Sequence, residues 1–212
     1  MPKKDLYSPN KKHKEMKIKI PPNLNKEETK SFNEIVKPQL EEIYSYSYDK
    51  FEFTNIKIFI SKDKFPDNTK KPNIEELKNI LNKIPETHLE FVSEIYFVSY
   101  HCKDDNDKEI KGRTLPIVNK IIIYPKVWEK INNVLIHEIG HILFEKLLNF
   151  RQKAEISQIA FMASMSALSF SRTERYKFVQ EYFAGAYEDF LNEKKLVGNN
   201  PFLLQFLIEI IK

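Results

Sequence analysis

The 212-residue sequence has one cysteine, Cys102, so no disulfide can close within the chain. That fits a reducing compartment, although many secreted bacterial enzymes also do without disulfides. Its four glycines form no phosphate-cradling loop. No apolar run near Met1 is long enough for a signal peptide or a membrane span, so the chain reads as cytoplasmic unless a leader has been removed. There are no internal repeats. An excess of one charge is lacking too: 34 basic side chains stand against 30 acidic ones, for a net charge of +4. The lysines are scattered among acids rather than gathered into a stripe, and no nucleic-acid partner is expected. The exception is the first twenty residues, where Lys3, Lys4, Lys11, Lys12, Lys14, Lys17 and Lys19 cluster. Such a run reads as a solvated tail.

What is present suffices for a core, with 42% hydrophobic and 13% aromatic residues. The length suits one domain, over residues 26–212, after a basic tail over 1–25. Apolar spacing at Phe32, Ile35, Val36, Leu40 and Ile43 predicts a helix bent near Pro38. Phe51 to Ile60 reads as a strand, and Ile74 to Ile84 as an amphipathic helix ended by Pro85. Further strands are predicted over Glu94–Tyr100 and Ile117–Tyr124, the latter with both faces partly covered. Beyond Trp128 the pattern is helical, over about Val127–Asn149, Lys153–Ser169 and Thr173–Glu193, with a last helix opened by Pro201. Strands first and helices last make an α+β fold, a small mixed sheet packed on a helical region.

The chemistry centres on His137-Glu138-Ile139-Gly140-His141, inside a segment of helical composition and period. Residues four apart on a helix share a face and lie about 6 Å apart along the axis, so both imidazoles can address one ion. Glu138 lies beside such an ion and can reach a water on it. Zinc with three protein ligands keeps one position open, where the pKa of water falls from about 15.7 to roughly 7. Glu138 is then the general base, and afterwards returns the proton to the leaving amine. With 5 histidines in 212 positions the pattern arises by chance in on the order of 1% of such chains. The bland alternative is two surface histidines flanking a solvated glutamate, but Ile136, Ile139, Ile142 and Leu143 place this helix in the interior. Unpaired polar groups there cost about 1 to 3 kcal/mol each.

No histidine follows His141, which excludes a third ligand of that type a few residues later. A carboxylate from another element completes the set, or else His88 or His101. The leading candidate is Glu181, in Glu181-Tyr182-Phe183-Ala184-Gly185-Ala186-Tyr187, with Glu174 and Glu188 as rivals seven residues away on either side. Glu145 shares the motif face but reads as a salt-bridge partner, and Asp189 as solvated. His101 and Cys102, adjacent in a strand, point to opposite faces and read as structural.

His-Glu-Ile-Gly-His followed by Glu-Tyr-Phe-Ala-x-Ala-Tyr resembles the catalytic domain of the anthrax lethal factor family, which includes the clostridial Pro-Pro endopeptidases. The resemblance covers about residues 85–192. It implies a gluzincin-type zinc metallopeptidase with Glu181 as third ligand and with Ala184, Gly185 and Ala186 admitting close approach of two helices. The chain departs from the family pattern twice. Gly185 stands where a second acid often follows the ligand, and Glu174 stands where the family has its oxyanion-stabilising tyrosine. Tyr176 is the nearest substitute for that tyrosine.

The expected activity is zinc-dependent endopeptidase hydrolysis of a peptide that adds to an exposed edge strand near Ile117–Tyr124. Two alternatives compete with it. A regulatory peptidase resembling the ImmA/IrrE group shares the His-Glu-x-x-His pattern, but usually carries Ala and Phe in a different order around its acidic ligand. A catalytically silent zinc-containing binding module is the other, and the intact Glu138 argues against it.

Overall fold

The computed structural model describes residues 18–67, 69, 71–104, 107–125, 131–164, 170–193 and 200–211. The fold is α+β, with a five-stranded mixed sheet, a small two-stranded sheet and a mainly helical second half. The described residues fall into two compact units, one from Met1–Pro72 with Glu94–Trp128 and the other from Asn73–Ser93 with Glu129–Lys212.

In the first unit, α1 (Lys26–Ser31) starts at Asn25, whose side chain accepts from the Glu28 amide while the Glu28 carboxylate accepts from the Asn25 amide. A π-helical turn, Phe32–Val36, separates it from α2 (Lys37–Tyr44). Near Pro38, where a bend is expected, the helix passes through this π-helical turn, because proline has no amide hydrogen and its ring crowds the carbonyl four residues back. The amide of Lys37 accordingly bonds the carbonyl of Phe32, five residues away. Residues 18–25 depart from the expected tail: Ile18 and Leu24 pack against the core beneath α1 and α2. The remainder of that predicted tail lies outside the described residues.

The segment read as one strand is a hairpin of β1 (Tyr48–Phe53) and β2 (Ile56–Ser61). Next to β2 run β3 (Glu94–Phe97) and, beyond the small β4 (Cys102–Lys103) and β5 (Glu109–Ile110) pair, β6 (Gly112–Leu115) and β7 (Lys120–Ile123). The order is β1-β2-β3-β7-β6, with β2, β3 and β7 parallel and the outer two strands antiparallel to their neighbours. This corrects the expectation of an edge strand near Ile117–Tyr124. Pro116–Val118 is a 3-10 turn, and β7 is paired on both sides, so the edge belongs to β6. Ile121, Ile122 and Ile123 are buried on both faces, as in a covered parallel strand. On one face Phe32, Val36, Leu40 and Ile43 cluster with Tyr96, Leu115, Ile122 and Tyr124.

The second unit contains α3 (Ile74–Leu81), α4 (Glu86–Leu89), α5 (Ile131–Lys146), α6 (Phe150–Ala163), α7 (Arg172–Leu191) and α8 (Pro201–Ile211). The predicted start at Val127 falls outside the described residues, whereas α5 ends at Lys146 rather than Asn149, and α6 at Ala163, where Ser164 turns extended, short of the predicted Ser169. Both α6 and α7 begin with reciprocal caps, Asn149 with Gln152 and Ser171 with Glu174. Packing between α5 and α7 is intimate because Gly140 presents bare backbone: a Cβ there would lie 2.9 Å from the Ala184 Cα. Gly185, expected to help this approach, instead has nothing within 4 Å of its Cβ position. Among the described residues no helix is long and apolar enough to cross a membrane.

Candidate metal centre

The motif occupies the middle of α5, whose apolar residues Leu135, Ile136, Ile139, Ile142 and Leu143 are fully buried. They anchor the helix and leave His137 and His141 on its remaining face. The two rings are 4.8 Å apart and nearly perpendicular. Opposite them α7 delivers Glu181, whose Oε2 is 3.2 Å from His137 Nε2 and whose Oε1 is 3.5 Å from His141 Nε2. Ligand atoms of these three residues all lie within 4.8 Å of one another, and they are the group among the described residues able to hold a metal. The donor set fits zinc: tetrahedral ligands about 2.0–2.1 Å from the ion are about 3.3 Å from each other. The two imidazole-carboxylate separations, one to each Glu181 oxygen, are near that spacing.

The charges are strongly coupled. Burial alone would depress His137, but Glu181, Glu188 and Glu138 oppose it and push the pKa up to about 9. Burial, aided by the neighbouring His137, lowers His141 to about 4, although Glu181 and Glu145 oppose the fall. The bond to His137 holds the Glu181 carboxyl below its usual range against the opposing effect of burial. Glu138 is only 7% exposed, so it is an acid set into the interior beside the two imidazoles.

The rivals to Glu181 have other places. Glu174 caps α7 by accepting from the Ser171 amide at 2.8 Å. Glu188 faces the opposite edge of His137, its Oε2 3.6 Å from Nδ1. In the sequence it stands as a rival ligand to Glu181. Spacing alone held the better clue, since Glu181 and Glu188 are two turns apart on one face. Glu145 accepts from Tyr176 Oη at 2.8 Å, from Gln180 and from Lys153, tying α5, α6 and α7 together. The Tyr176 hydroxyl thus rests on Glu145, one turn past His141, rather than on the three-residue group. His88 is excluded as a ligand by its bonding: Nε2 must donate to the Ile210 carbonyl at 3.2 Å, so Nδ1 accepts from the Tyr187 hydroxyl at 2.9 Å. His101 is exposed, beside the β4–β5 hairpin.

Comparison with protein-family models and with curated proteins finds no match to this chain.

Proposed function

We propose that this chain is a zinc-dependent endopeptidase resembling the lethal factor family, with His137, His141 and Glu181 as metal ligands and Glu138 as general base. The observation that carries the reading is the convergence of two imidazoles of α5 and one carboxylate of α7 beside the buried Glu138. Zinc held by His137, His141 and Glu181 would supply a Lewis acid able to polarise a carbonyl and make water acidic enough to lose a proton near neutrality.

Glu138 would take a proton from the attacking water as its oxygen adds to the scissile carbonyl carbon. It then gives the proton to the amide nitrogen as the C–N bond breaks. Burial favours this shuttle, because a carboxylate shielded from bulk water exchanges its proton with the reacting groups rather than with solvent. Tyr176 is the candidate hydroxyl donor for the developing oxyanion, and must exchange its bond to Glu145 for one to substrate.

The test is metal content by elemental analysis, followed by peptide-library cleavage with wild type and Glu138→Ala. One zinc per chain is expected in both, with cleavage by wild type alone. Zinc in both without cleavage of any peptide favours the silent binding module. Wild type that takes up no zinc overturns the reading.

A further inference from the structure

We infer that Glu188 is a positioning residue of this centre, holding the Nδ1 edge of His137 so that Nε2 faces Glu181 and His141. The inference rests on the metal reading of the three-residue group. His137 lies between two carboxylates of the same helix, with Glu181 3.2 Å from Nε2 and Glu188 3.6 Å from Nδ1. A neutral imidazole carries one proton, and a nitrogen that binds a metal must be bare. The proton therefore sits on the other nitrogen and needs an acceptor. Glu188 is the acceptor within reach of that edge.

Its surroundings distinguish it from the ligand carboxylate. The Glu181 side chain is 65% exposed and open to an incoming ion, whereas that of Glu188 is 16% exposed, against the flank of the ring. An acid sunk that far is costly unless a partner faces it, and His137 is one. The seven-residue spacing puts both carboxylates on one face of α7, so a single helix sets both edges of one ring. The close approach of Gly140 to Ala184 sets the spacing between the helix that carries the ring and the helix that carries both carboxylates.

The test measures metal affinity rather than peptide cleavage. Zinc and cobalt are titrated into the metal-stripped full chain against a chromophoric chelator, for wild type, Glu188→Ala, Glu188→Gln and Glu181→Ala. Glu188→Ala should weaken binding roughly 10- to 100-fold. Its cobalt absorption bands should move, and its metal-free thermal midpoint should stay near that of wild type. Glu188→Gln keeps an acceptor oxygen of the same reach and should recover most of the affinity. Glu181→Ala should lose more than either. Wild-type affinity and an unchanged cobalt spectrum in Glu188→Ala overturn this inference alone, and if that variant fails to fold, Glu188→Gln with affinity as poor as Glu181→Ala overturns it as well. Failure of the wild type to bind either ion overturns the metal reading itself, so the two failures are told apart.

Discussion

Gly140 meets Ala184 where α5 and α7 cross, so closely that the space for one methyl group is filled by the partner helix's own backbone. Gly140→Ala forces the helices apart, an overpacking cost of about 1 to 3 kcal/mol. Because that crossing sets the distance from His137 and His141 to Glu181, metal affinity should fall with it. Gly185→Ala, with open space around its Cβ, should raise stability by up to about 1 kcal/mol through helix propensity. Thermal denaturation of both variants checks the pair, and equal effects would falsify the register argument.

Tyr176→Phe removes a hydroxyl that rests on Glu145 while keeping the ring, which is 5.7 Å edge-on from Phe144. If the phenol serves the oxyanion, kcat drops about tenfold or more with KM and zinc content little changed. Steady-state kinetics on any cleaved peptide decides. A fall in thermal midpoint with unaltered kcat leaves Tyr176 as a strut.

His88 couples folding to pH. Burial lowers its pKa from the ordinary 6.5, although the bond to Ile210 opposes the shift. The unfolded chain therefore takes up a proton before the folded one does. Stability from the neutral ring is complete above about 6.5 and declines as pH falls from there toward the lowered folded value, by at most about 1.4 kcal/mol per pH unit. His88→Gln should flatten that part of the curve. Thermal midpoints of wild type and variant across pH 4.5–7.5 measure the difference, and parallel curves would rule the coupling out.

Thr54 carries a φ of 49° in the β1–β2 turn, a conformation that crowds a β-branched side chain. Thr54→Gly relieves that crowding and should raise the thermal midpoint by the equivalent of about 1 kcal/mol. A lower midpoint in calorimetry contradicts the assignment.

The same threonine explains why part of the fold was hidden in the sequence. Hairpin turns announce themselves through glycine or asparagine at positions of positive φ, and Thr54-Asn55 gives only a muted version, so two strands read as one. The edge strand was misjudged for a different reason. Gly112 to Leu115 is short and half polar, with nothing in its local pattern to say that it caps β7. The α+β class and the α5 helix were legible because apolar periodicity is a local signal. The His137, His141 and Glu181 grouping was half legible. Spacing yields the first two, whereas the third depends on how α7 crosses α5, and a one-turn difference there would bring another residue forward. Spacing puts Glu188 on the face of Glu181 but not beside His137, and the bonding of His88 is set wholly by tertiary contacts.

Two of the proposed ligands lie on one helix and the third forty residues later on another. An ion bound there would clasp a long stretch of chain, and only the folded form offers the three donors together. The protein's persistence would then track the ion supply of its surroundings, gaining about 4 kcal/mol where free metal exceeds its dissociation constant a thousandfold and nothing where metal is scarce. Starvation for the ion would thus withdraw part of the molecule's stability along with its chemistry.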